Sequence, residues 1–143
     1  MPRTPKELVE CFYHEVWNKA DERFAREILD VNFRFKGSLG PEKNDQNGFI
    51  AYMRSVHAAL GNYRCVIEDL VIDENRAAAR MTFSGKHSGK FFGVDATGRV
   101  IKWAGAAFFT MSNERIAKLW VLGDIDSVRQ QLGSEISNSF ESK

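Results

Sequence analysis

Apolar residues open the chain at helical spacing: Leu8, Val9, Phe12, Tyr13, Val16 and Trp17 fall on one broad face. Thr4-Pro5-Lys6-Glu7 in front of them has the form of a capping box with proline at the first helical position, where its missing N–H costs nothing. A first helix is therefore predicted to end near Asn18. Asp21 can cap a second, shorter helix with Phe24, Ile28 and Leu29 on one side. From Val31 the period drops to two, because Val31, Phe33 and Phe35 alternate with Asn32, Arg34 and Lys36; that is a strand with one apolar face. The Gly- and Asn-rich stretch 37–47 reads as a loop, and Phe49, Met53, Val56 and Leu60 mark a third amphipathic helix that stops at Gly61.

Beyond Asn62 the pattern is mostly that of strands. Tyr63 to Ile72 and Arg76 to Lys86 pair across the turn Asp73-Glu74-Asn75. Gly85, Gly89 and Gly93 interrupt the next region, Asp95-Ala96-Thr97-Gly98 has turn chemistry, and Arg99 to Met111 and Arg115 to Leu122 flank the turn Ser112-Asn113-Glu114. A short helix from Ser127 to Leu132 stops at Gly133, with Asp126 the expected cap, and residues 134–143 read as a frayed tail. Helices followed by a run of meander strands argue an α+β fold with an antiparallel sheet. Curved around the first helix, such a sheet leaves an interior pocket, all within one domain over residues 1–133.

Composition narrows the function. The 143 residues fit one domain, and 11 phenylalanines give the interior many rings to place. A formal net charge of +1 without a basic run argues against nucleic acid as a partner. Cys11 and Cys65 lie far apart with no metal-ligand spacing, which points to two free thiols and no metal site. No apolar stretch approaches the ~20 residues of a membrane span, and the first residues are too polar for a signal peptide. A cytoplasmic location with no membrane partner is the expectation.

Three segments then carry a resemblance. Phe83 to Arg99 holds His87-Ser88-Gly89, Phe92-Gly93 and Thr97-Gly98; Arg115 to Asp124 is a closing strand with Trp120 four residues before Asp124; and Gln130-Gln131-Leu132-Gly133 ends the domain. In this order and spacing, over roughly residues 5 to 133, they resemble the SnoaL-like polyketide cyclases, whose fold is the nuclear-transport-factor-like cone. The chain departs from that pattern at Lys36, where many members have histidine, at Asp95-Ala96 and at Leu60-Gly61-Asn62. The resemblance implies a cyclase or isomerase that needs no metal or organic cofactor, with Asp124 as general base next to a carbonyl group. It also implies a homodimer formed through the open sheet face.

The candidate residues follow. If Trp120 and Leu122 face inward, period two aims Asp124 at the same apolar space, where desolvation would raise its basicity. The alternative is that Asp124 or Asp126 caps the last helix. His87, between Gly85 and Gly89, and Lys36, if its face lines the cavity, could each assist at a substrate oxygen; both also read as residues without a chemical role. Trp103, Trp120, Phe108 and Phe12 are expected to wall a pocket for a small hydrophobic ligand, with Thr110 as a polar contact, although rings at strand spacing also make ordinary core. Three functions are compatible with this set: a cyclase or isomerase, a non-catalytic binding domain, or an epoxide hydrolase built on Asp124 with Arg80 or Arg99.

Overall fold

The computed structural model describes residues 3–133; the predicted frayed tail lies outside them. Helix α1 spans Pro5–Cys11, and the capping box forms as expected: the Glu7 N–H donates to Thr4 Oγ1 while the Thr4 N–H donates to Glu7 Oε1. The chain then continues as a π-helical segment over Phe12–Trp17, in which the Asn18 N–H bonds the Tyr13 carbonyl five residues back. Helix α2 covers Glu22–Ile28, capped by Asp21, and α3 covers Gln46–Ala59, capped by Asp45. Helix α3 thus begins three residues before the predicted Phe49, because Asp45 Oδ1 takes the Gly48 N–H.

The five strands are β1 Leu29–Lys36, β2 Leu60–Asp73, β3 Arg76–His87, β4 Val100–Ser112 and β5 Arg115–Gly123, and helix α4, Ile125–Gln131, follows. They form one sheet in the order β1-β5-β4-β3-β2. Strands β2 to β5 make the predicted antiparallel meander, and β1 adds parallel to β5, so the sheet is mixed. The α+β expectation is met. α1, the π-helical segment and α3 lie against the concave face and bury Leu8, Val9, Phe12, Tyr13, Val16, Phe49 and Met53 on it.

Two irregularities set which side chains point inward. In β1 the register shifts between Leu29 and Arg34, so Leu29, Phe33 and Phe35 are buried while Val31, predicted to share their face, is 65% exposed. In β5 the pairing jumps from Met111↔Ile116 to Thr110↔Lys118, which leaves Ala117 as an extra residue. Ile116 and Leu119, three residues apart, are consequently both buried. The end of the π-helical segment is tied to β2 by Asn18, whose amide donates to the Cys65 carbonyl (3.1 Å) and accepts from the Cys65 N–H (2.7 Å).

Candidate functional site

A cavity opens between the π-helical segment, α3 and the concave face of the sheet. Counted out through the open mouth its unfilled space is about 400 Å³, but water-sized molecules can centre in only about 30 Å³ of it. Buried Phe12, Tyr13, Trp17, Tyr63, Phe83 and Trp103 form its inner walls, and half-buried Ser38, Leu39, Tyr52, Val121 and Gly123 form its rim. The loop after β1 is held to the end of β5 through Ser38, whose Oγ donates to the Val121 carbonyl and accepts from the Gly123 N–H. On the far wall Gly105 makes room for a ring: a Cβ there would lie 2.5 Å from Phe83, which packs on Trp103 with centroids 5.4 Å apart. The small residues of β4 therefore do two things, because Ala107 fills core while Gly105 lets an aromatic wall close in.

The polar groups of this cavity are neutral. Among the described residues its lining holds the phenols of Tyr13, Tyr52 and Tyr63, the Ser38 hydroxyl and two indole N–H groups, with no carboxylate, imidazole or ammonium. Burial pushes the Tyr13 and Tyr63 phenols well above their usual range and raises Tyr52 as well. The Cys65 thiol beside Tyr63 is pushed up to about 12 by the same desolvation. All four groups stay protonated in the folded chain at pH values where they ionise once unfolded. Stability is therefore fully present below pH 9, the ordinary thiol value, and is lost as pH rises from there towards 12. Each such group removes about 1.4 kcal/mol per pH unit once its unfolded form ionises. Urea midpoints measured from pH 8 to 11 are expected to fall continuously above pH 9, and flat midpoints would contradict the burial of this cluster.

Several predicted site residues sit elsewhere. Phe12 and Trp103 do line the cavity. Phe108, Trp120 and Thr110 do not: they lie on the outer face of the sheet, where Phe108 and Trp120 pair across β4 and β5 at 50% and 46% exposure. Trp103 and Phe108 are an odd number of residues apart on one regular strand and cannot share a face. The extra residue at Ala117 reverses the expected phase of β5, so Leu119 and Val121 face the cavity and Trp120 and Leu122 face out.

Lys36 is also on the outer face, its ammonium donating to the carbonyls of Gly37 and Gly40. His87 is completely buried, and both ring nitrogens are occupied by its own loop. Nδ1 accepts from the Thr97 N–H (3.2 Å) and meets Thr97 Oγ1 (3.0 Å), which leaves Nε2 to donate to the Val94 carbonyl (3.1 Å). Histidine here fastens the 88–99 loop and has no nitrogen left for a substrate.

Asp124 directly follows the rim residue Gly123. Its carboxylate is exposed, contrary to the buried position expected for it, and Oδ1 caps α4 by accepting the Ser127 N–H (3.1 Å). Asp126, the expected cap, instead accepts from the Gln130 side chain. Oδ2 of Asp124 has no partner among the described residues. Arg80 is exposed on the outer face, and Arg99 donates to the Gln131 carbonyl, so neither forms a carboxylate–arginine group at the cavity. The described residues contain no His, Cys, Asp and Glu grouping that could hold a metal and no helix long and apolar enough to cross a membrane.

The site residues that sequence reasoning missed include Tyr63, Tyr52, Phe83, Trp17, Ser38 and the hydroxyl of Tyr13. Tyr63 and Phe83 carried a legible signal, since both are large apolar residues on strand faces that period two could have assigned.

Solved structures with the same architecture are numerous. A protein provisionally assigned as a SnoaL-like polyketide cyclase from Jannaschia sp. CCS1 superposes with a TM-score of 0.83 at 17% identity, covering 94% of this chain and 98% of its own. TsrD from Streptomyces laurentii reaches 0.81 at 26% identity, with 93% and 98% covered. IdmH from Streptomyces antibioticus, provisionally assigned as a polyketide cyclase, reaches 0.81 at 22%, with 92% and 100% covered. No curated protein matches the chain. The family described as SnoaL-like polyketide cyclase matches residues 7–132, so this chain belongs to the SnoaL-like polyketide cyclase family.

Proposed function

We propose that the chain is a cofactor-independent cyclase or isomerase that takes a small hydrophobic carbonyl compound into the aromatic cavity, with Asp124 as general base at its rim. The observation that carries the proposal is the adjacency of Gly123, at the cavity rim, and Asp124, whose Oδ2 has no partner among the described residues. Since the fold leaves this carboxylate in water, the substrate itself must cover it. A flat apolar compound entering past Ser38 and Gly123 displaces that water and brings its acidic C–H against the carboxylate. A proton next to two carbonyl groups is acidic enough for such a base.

The test is a panel of β-dicarbonyl and polyketide-like compounds incubated with the protein in metal-free buffer. Conversion of at least one compound above the protein-free rate is expected. A non-catalytic binding domain is the rival reading, favoured by the absence of any carboxylate, imidazole or ammonium among the described cavity-lining residues. Tight binding across the panel with no conversion would decide for it.

The proposal includes a homodimer through the outer sheet face. Val71, Phe108, Trp120 and Leu122 are exposed together there, on β2, β4 and β5, and a contiguous apolar surface of this kind is costly to leave in water. Sedimentation is expected to give a dimer that Trp120→Lys converts to monomer; a monomeric parent would contradict it.

A further inference from the structure

The Tyr13 hydroxyl is the one fully buried side-chain oxygen or nitrogen among the described residues that lacks a hydrogen-bond partner. Such atoms are rare in folded proteins, and each calls for a reason. Tyr13 is 1% exposed and is one of the residues that line the cavity. Its place follows from the π-helical segment, a rare backbone form that is frequent at functional sites. The wider turn buries four of its six residues, Phe12, Tyr13, Val16 and Trp17. Two edge-on ring contacts then lock the phenol, with Phe12 at 5.1 Å and Phe109 at 5.9 Å between centroids. The hydroxyl cannot swing away to find water.

We infer that Tyr13 is the oxygen-recognition point of the cavity, donating a hydrogen bond to an uncharged carbonyl oxygen of the bound ligand. The groups that interact with Tyr13 electrostatically are Cys65 and Tyr52, both neutral, so nothing there balances a charged ligand atom. A ketone oxygen fits, because it accepts one bond and carries no charge; a carboxylate would be buried without a counter-ion. Burial also holds the phenol protonated, and so competent to donate. Together with the rings of Phe12, Trp17, Tyr63 and Trp103, this describes a ligand that is flat and apolar with a ketone at its leading edge. The inference rests on the proposed ligand class and names the atom that reads it; Tyr13 is a binding residue and takes no part in proton transfer.

The test compares 1-indanone with indane, the same ring skeleton without the oxygen, by quenching of the cavity tryptophans Trp17 and Trp103 in the parent and in Tyr13→Phe. The parent is expected to prefer 1-indanone, and Tyr13→Phe to reduce that preference about three- to tenfold, the worth of one neutral hydrogen bond, with indane affinity unchanged. Because the deleted hydroxyl has no partner, the ligand-free variant is expected to melt no lower than the parent. An undiminished preference for 1-indanone in Tyr13→Phe would overturn the inference while leaving the apolar cavity intact. So would a clear drop in its melting temperature, which would mean that the hydroxyl is paired in the empty protein. If neither probe bound the parent, the proposed ligand class would fall, and the inference with it.

Discussion

Replacing His87 by phenylalanine is expected to cost about 2–4 kcal/mol of stability and to free the 88–99 loop, even though ring volume is nearly retained. The buried imidazole holds both sides of that loop: Nε2 donates to the Val94 carbonyl, and Nδ1 takes the Thr97 N–H. Phenylalanine leaves both backbone groups without those bonds, in a place that water reaches poorly. The loop's other ties are backbone bonds: the Phe91–Val94 pair, the Ser88 and Gly89 N–H groups on the Ala59 carbonyl, the His87 N–H on the Arg99 carbonyl and the Gly98 N–H on the His87 carbonyl. Urea unfolding gives the loss, and hydrogen exchange at Val94 and Thr97 locates it. A histidine acting on substrate would behave differently, with parent-like stability and exchange and only turnover reduced. That outcome would restore His87 to the catalytic set.

Most of the architecture was legible because each element has a local cause. The capping box at Thr4 and the turns at Asp73 and Ser112 each act within a few residues of chain and appear in the structure as expected, whereas the strand predicted from Val31 begins at Leu29 and leaves Val31 exposed. What could not be read depends on irregularities that no period announces. One extra residue at Ala117 turns Trp120 and Leu122 outward and Leu119 and Val121 inward, so the wall of β5 was assigned with the wrong phase. The parallel pairing of β1 with β5 is likewise a tertiary choice, made where Arg34 to Lys36 meet Lys118 to Trp120.

Site chemistry was harder to read than fold for the same physical reason. A histidine between two glycines looks available in one dimension, but its two nitrogens are consumed by residues seven and ten positions away in the chain. Tyr13 presents the reverse case. Its burial followed from the helical face, yet that its hydroxyl would lack a partner depends on every atom packed around it. Asp124 was expected inside the apolar space; it lies exposed instead, one residue beyond the rim at Gly123, where α4 starts and takes one of its oxygens.

The assignment of Asp124 as base meets its most direct test in Asp124→Asn. Asparagine is as good an N-cap as aspartate, so α4 keeps its Ser127 contact and the fold is expected to stand. What the change removes is the proton acceptor, and loss of a positioned general base lowers turnover by about 10²–10⁴-fold. The measurement is kcat for the best β-dicarbonyl substrate of the panel in parent and variant, with 1-indanone affinity recorded alongside. The expected result is a kcat at least about 100-fold lower at unchanged affinity and melting temperature. A kcat equal to that of the parent would contradict the role given to this carboxylate and move the chemistry to another part of the cavity.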